Sequence, residues 1–213
     1  METRKTKIVS KGYMNEQNKI IESTEEKFFR DGFYKTTMDE VASELKMSKK
    51  TIYKFFPSKD ELVMAIAKHF MEGLKKKIIP ALSSDKNAIE KLAELHKILA
   101  KTSGKISSKR MDEIRIHFPA MWIEIDNFRT KMMFGNITKV IDQGKEEGLF
   151  IDYPTQIIMN TLVSSVRAIV NPEFILNNNF SIGEAALYVF KVVIGGIVTE
   201  KGRKIFNKTI NKK

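Results

Sequence analysis

Residues 36–59 read TTMDEVASELKMSKKTIYKFFPSK, and their pattern decides the fold. Thr37 stands before Met38, Asp39 and Glu40: a hydroxyl that can accept from unpaired amides, then acids in the first turn, which is how a helix start is written. That helix is short and ends near Leu45. Ser48 repeats the device for a helix over 49–55, and Phe56-Pro57-Ser58 ends it and caps the next at Lys59. At 100° per residue, Ile52, Phe55 and Phe56 cluster on one side of the second helix, while Lys50 and Lys54 lie opposite, flanked by Thr51 and Tyr53. Two short helices joined by a tight turn, the second apolar behind and basic in front, make a helix-turn-helix whose second helix suits the major groove.

The chemistry of that front is specific. Ammonium groups suit guanine acceptors and phosphate oxygens, and a Thr methyl suits a thymine methyl. Between Glu44 and Asp60 stand Lys46, Lys49, Lys50, Lys54 and Lys59 with no acid. The amides beneath Thr37, Ser48 and Ser58 are donors at positive dipole ends, ready to clamp phosphate. Lys59, in the first turn of its helix, opposes the dipole and makes better sense with an anion beside it.

Working outward, Asn15 can cap a first helix carrying Ile20, Ile21, Thr24, Phe28 and Phe29 at helical spacing, and Gly32 stops it. After Lys59 a fourth helix runs to about Ile79, before Pro80. Beyond it, amphipathic segments fall at roughly 86–103, 108–118, 120–147, 154–176 and 182–206. No alternating strand pattern is present. The expected fold is all-α: an N-terminal three-helix helix-turn-helix head, residues 1–60, and a larger helical body, residues 61–213.

Residues 20–64 resemble the DNA-binding head of the TetR family of bacterial regulators. The matching residues are Phe28 four before Gly32, Phe33, Thr36-Thr37-Met38, Val41-Ala42, Ser48-Lys49, Thr51-Ile52-Tyr53 and Phe56-Pro57-Ser58-Lys59 ahead of Leu62. The resemblance implies phosphate contacts from Thr37, Ser48, Tyr53 and Lys59, and base-proximal positions for Lys49, Lys50, Thr51 and Lys54. Family members usually have Gly where Lys46 stands, and Lys costs more there if the turn needs positive φ. Gly is also frequent at position 50, and an aromatic or His at 54. These departures make the groove face lysine-rich and bear on which operator is read.

Composition narrows the classes. The 213 residues carry 37 Lys+Arg against 26 Asp+Glu, a formal charge of +11, with 42% hydrophobic residues, enough for a sizeable core. Residues 1–60 hold 13 basic and 10 acidic groups and residues 61–213 hold 24 and 16, so placement rather than total marks the head. Absence of Cys removes disulfide frameworks and thiolate sites and suits a reducing, cytoplasmic setting. There is no secretory h-region, and the richest apolar run, Val192 to Val198, is far shorter than the roughly 20 residues of a membrane span. His69, His96 and His117 share no ligand spacing, so no metal and no cofactor are expected. No nucleophile, carboxylate pair or phosphate loop points to an enzyme. A basic adaptor for a membrane surface or acidic protein would use the charge but leave the capped turn unexplained. The closing basic residues, Lys201, Arg203, Lys204, Lys208, Lys212 and Lys213, read as a frayed solvated tail.

The body resembles the family more weakly, in Phe118-Pro119-Ala120-Met121-Trp122, Phe128-Arg129, Gly144 to Phe150 and Gly195 to Arg203. The resemblance implies an inducer pocket and a two-fold dimer. Candidate pocket residues are His117, Phe118, Met121, Trp122, Met132, Met133 and Met159, large and adaptable apolar groups for the most part. Arg167, within an apolar stretch, needs a partner: an anionic ligand, or an acid of its own or another subunit. The last helix is apolar on two sides. Ala186, Val189, Val193 and Ile197, with Ile182 and Ala185, make one stripe; Leu187, Phe190, Ile194 and Val198 make another. The first is the candidate dimer face; the alternative is full burial in a monomer. The expected function is a ligand-responsive regulator, a repressor in most such families, that holds a palindromic double-stranded operator as a homodimer and lets go when a small molecule binds.

Overall fold

The structure is a computed structural model that describes residues 2–104 and 106–210. Every named element among them is helical: α1 (Glu2–Asp31), α2 (Met38–Glu44), α3 (Lys49–Phe55), α4 (Lys59–Leu82), α5 (Ala88–Ser103), α6 (Ser108–His117), α7 (Pro119–Met132), a π turn (Met133–Ile137), α8 (Thr138–Glu146), α9 (Thr155–Ile169), α10 (Pro172–Asn178), α11 (Ile182–Ile197) and α12 (Glu200–Ile210). The chain divides into two compact units, residues 1–71 with 113–122, and residues 72–112 with 123–213. The head's unit thus runs past residue 60 and takes in a stretch from the α6–α7 corner.

In the first unit, α1–α4 close around Ile20, Phe28, Phe33, Val41, Ile52, Phe56, Leu62 and Ile66, each 2% exposed or less. Lys27, 12% exposed, bridges Asp31 of its own helix and Glu44 of α2 at 3.1 and 3.0 Å, fastening the two helices together. Helix α1 extends back to Glu2 instead of starting at Asn15. No proline interrupts those residues, so Asn15 stays interior.

The end of α2 sets the angle of α3. Lys46 N–H donates to Ser43 O at 3.1 Å and Met47 N–H to Ala42 O at 2.9 Å, with Lys46 at φ 53°. This is the Schellman pairing, which needs a left-handed residue just past the cap. The same pairing ends α8, where Gly148 N–H meets Lys145 O and Leu149 N–H meets Gly144 O, and there the left-handed position, φ 67°, is glycine. The turn into α3 therefore does demand positive φ, and Lys46 adopts it at a cost of order 1 kcal/mol.

The second unit buries Ile89, Leu92, Ile141, Met159, Ile194 and Phe206 among α4, α5, α8, α9, α11 and α12. Three boundaries differ from the sequence reading. Helix α4 continues through Pro80 to Leu82, because Ile78 and Leu82 are buried and hold the last turn. The 154–176 segment breaks after Ile169, where Asn171 caps a new helix with Pro172 in its first turn. The 182–206 segment breaks at Val198, where Ile151 N–H donates to Ile197 O at 2.7 Å and Thr199 N–H to Leu149 O at 3.0 Å. Nor is the basic C-terminal stretch frayed over 200–210: α12 packs on α5, buries Phe206 and sets Gly202 so close to Leu149 O that no side chain fits. Lys212 and Lys213 lie outside the described residues.

Candidate nucleic-acid interface

Three hydroxyl caps organise the head. Thr37 Oγ1 accepts from Glu40 N–H at 3.2 Å while Glu40 Oε2 accepts from Thr37 N–H at 2.7 Å, a reciprocal capping box. The Thr37 backbone N–H first, and its hydroxyl second, lower the pKa of the Glu40 carboxyl. Ser48 Oγ accepts from Thr51 N–H at 3.1 Å and lies 2.7 Å from Thr51 Oγ1. Ser58 Oγ accepts from Glu61 N–H at 3.1 Å and starts α4.

On α3 the two faces separate as helical phase requires. Ile52, Phe55 and Phe56 are buried, whereas Lys49, Lys50, Tyr53 and Lys54 are exposed and Thr51 is half-buried. Lys54 Nζ sits 5.9 Å from the Phe55 ring centroid, so its stem follows the apolar side before the charge reaches solvent. Lys49 is engaged differently: its ammonium meets Asp39 Oδ1 of α2 at 2.6 Å, and that bond raises its pKa. A phosphate approaching Lys49 has to compete with Asp39. Lys50, Tyr53 and Lys54 form the outward front, with Thr51 beside them.

Lys59 is half-buried and tied down. It donates to Tyr34 O at 2.6 Å and lies 5.8 and 5.7 Å from the rings of Tyr34 and Phe118, and desolvation lowers its pKa. Tyr34 N–H donates to Glu113 Oε1 at 2.7 Å, and its ring stacks on His117 with centroids 4.0 Å apart. His117 and Phe118, nominated for a ligand pocket, thus meet the α1–α2 loop within the head's own unit, and Met121 is buried in the same unit.

Comparison with known proteins agrees with this geometry. Residues 20–66 match the family described as "Bacterial regulatory proteins, tetR family". Residues 20–66 are a TetR-type DNA-binding head.

Among its relatives, an uncharacterized HTH-type transcriptional regulator of Bacillus subtilis, YvaF, is 22% identical over 166 residues, 78% of this chain and 87% of that protein. A transcriptional regulator from Cytophaga hutchinsonii has the same fold at TM-score 0.68 and 22% identity, over 85% of this chain and 98% of that one. A regulator from Saccharomonospora viridis, solved with choline, also reaches 0.68, at 17% identity over 88% and 100%. The chain is accordingly a DNA-binding transcriptional regulator with a TetR-type helix-turn-helix head and a helical body. No single helix among the described residues is long and apolar enough to cross a membrane.

In the body, the nominated residues divide. Met133 and Met159 are buried in the core with Met132 packed against them. Arg167 is 51% exposed and finds an acid of its own chain, Asp126 Oδ2, at 2.8 Å. On α11, Val189 and Ile197 are 3% and 7% exposed inside the chain's own core, with Val193 packed against it and Ala186 half-buried. That stripe therefore faces inward. The exposed apolar stripe is Tyr188, at 53%, and Val192, at 74%, with Gly196 one turn further on. On the neighbouring α9, Ile157 is 64% exposed, followed by exposed Thr161, Ser164 and Ala168.

Two groups have surroundings that the sequence reading does not foresee. His96 is half-buried beside Phe190 with its Nε2 unpaired, and burial lowers its pKa. Arg129, with 22% of its side chain exposed, has a buried and unpaired Nε. An open cleft of about 630 Å³ lies between the α5–α6 loop and the start of α11, lined by Ser103, Ile106, Ile175, Phe180, Ser181 and Gly183 and by none of the nominated pocket residues.

Proposed function

We propose that this regulator binds a palindromic operator as a homodimer, acts as a repressor, and is released when a small molecule binds the body. The observation that carries the reading is the exposed Lys50, Tyr53 and Lys54 front of a helix locked by Ser48 and seated on buried Ile52 and Phe55. Phosphates anchor on the capped helix starts and on Lys59; Lys50, Thr51 and Lys54 read base edges.

Homodimer formation uses the exposed face of α9 and α11. Two packed helices that present Ile157, Tyr188 and Val192 beside the small Thr161, Ser164, Ala168 and Gly196 suit a four-helix contact with a second copy. A two-fold axis there gives two recognition helices, which then read half-sites about 34–36 Å apart. Ligand response is a shift between dimers that hold operator spacing and dimers that do not. A regulator with this fold solved in complex with choline supports a small molecule as effector.

The test is fluorescence anisotropy with DNA from upstream of the chain's own gene, titrated against unrelated duplex at several salt concentrations. A preference of at least about a thousandfold for the upstream fragment is expected, with steep loss as salt rises. Equal affinity for both duplexes contradicts the operator reading.

A further inference from the structure

Arg129 stands on α7, one turn before the π turn over Met133–Ile137, and the π turn packs against α9. Its guanidinium is poorly supplied. Nη1 donates to Val170 O at the end of α9 at 3.1 Å, Nη2 lies 3.5 Å from Asp126 Oδ1, and Nε, enclosed, meets no acceptor. Asp126 is committed elsewhere: Arg167 Nε and Nη2 reach its Oδ2 at 3.1 and 2.8 Å, and Arg167 Nη2 also reaches Thr130 Oγ1 at 3.0 Å. Two guanidinium groups thus share one carboxylate, and the less exposed of the two has the weaker share.

A shielded guanidinium with unpaired donors is costly unless an anion completes it, and its planar fork matches a carboxylate. The surroundings add an apolar half. Met133, one turn along the same face, Met159 and Met132 lie in or against the body's core, and methionine repacks readily around varied shapes. The π turn is a second pointer. It replaces the α-helical ladder beside Arg129, with Asn136 Nδ2 donating back to Met132 O at 3.1 Å, and single π turns of this kind concentrate at functional sites.

We propose that Arg129 is the anchor for a small organic acid in the body: the methionines beside the π turn repack to admit it, its carboxylate takes the underpaired Nε–Nη2 edge of the guanidinium, and its apolar remainder lies along them. This deepens the ligand-responsive reading and rests on it, but its test needs no DNA, so failure of one is distinguishable from failure of the other.

The experiment is thermal unfolding of the full chain with millimolar acetate, hexanoate, decanoate, benzoate and phenylacetate, each beside its methyl ester at equal ionic strength. At least one acid should raise the midpoint by several degrees where its ester does not. Arg129→Met should abolish the difference. Asp126→Asn, which removes the competing carboxylate at nearly constant shape, should tighten binding of the same acid severalfold and keeps the test decisive if Arg129→Met fails to fold. The proposal is overturned if no acid outperforms its ester, if Arg129→Met retains the preference, or if Asp126→Asn leaves affinity unchanged or weaker.

Discussion

The ammonium of Lys59 donates to the carbonyl of Tyr34 at 2.6 Å, so the residue at the start of α4 also fixes the loop that leads into α2. An ammonium has three donors, and this bond uses one, leaving capacity for a phosphate. Lys59→Met keeps the aliphatic stem and removes every donor. Expected are a loss of DNA affinity that is nearly uniform across operator variants, a salt slope shallower by about one, and a fold weaker by about 1 kcal/mol. Anisotropy over a salt series and urea unfolding check both parts; a loss confined to particular sequences contradicts the phosphate assignment.

Lys46 holds a left-handed conformation that Gly148 adopts freely in the same motif. Lys46→Gly should stabilise the head by about 0.5 kcal/mol, the relief of strain less the added freedom of the unfolded chain. Urea midpoints of the two proteins decide it, and a destabilised glycine variant refutes the strain argument.

Val192 is 74% exposed on α11, so its substitution leaves the chain's own core untouched. Val192→Arg should keep the thermal signature of the monomer fold yet sediment as a monomer at micromolar concentration, where the parent sediments as a dimer. Val189→Arg, by contrast, buries a charge and should unfold the body. If Val192→Arg remains dimeric, the contact lies on another face.

His96 has a pKa held below the ordinary imidazole value of 6.5, first by desolvation and then by Lys191. As pH falls past 6.5 the unfolded chain takes up a proton that the folded chain refuses. Stability is therefore full above that pH and declines below it. His96→Leu should flatten the stability profile between pH 5 and 7 in urea titrations; an unchanged slope assigns the effect to other groups.

The head was readable because its signals are local. Thr37, Ser48 and Ser58 each sit within three residues of the amide they cap, and the phase of Ile52, Phe55 and Phe56 against Lys50 and Lys54 is fixed within two turns. The body was less readable because its decisive contacts are distant. Arg167 stands out by its apolar neighbours in sequence, yet it lies half in solvent, while Arg129 enters the sequence reading only as part of the Phe128-Arg129 resemblance, with no role attached. Asp126, three residues before Arg129, was the available signal; Val170, 41 residues away, was not. On α11, apolar residues occupy nearly every face, so phase alone could not tell the stripe that meets the core from the one left exposed. The break at Val198 depends on Ile151 and Leu149, which sequence proximity does not reveal.

The most direct measurement is the affinity of a Tyr53→Ala, Lys54→Ala double variant for the upstream fragment. Both side chains are exposed, so the variant should unfold at the same temperature as the parent within a degree or two. Its affinity should fall by about a hundredfold or more, toward the value for unrelated duplex. A double variant that folds normally and still binds the upstream fragment with parental affinity would contradict the assignment of α3 to the groove.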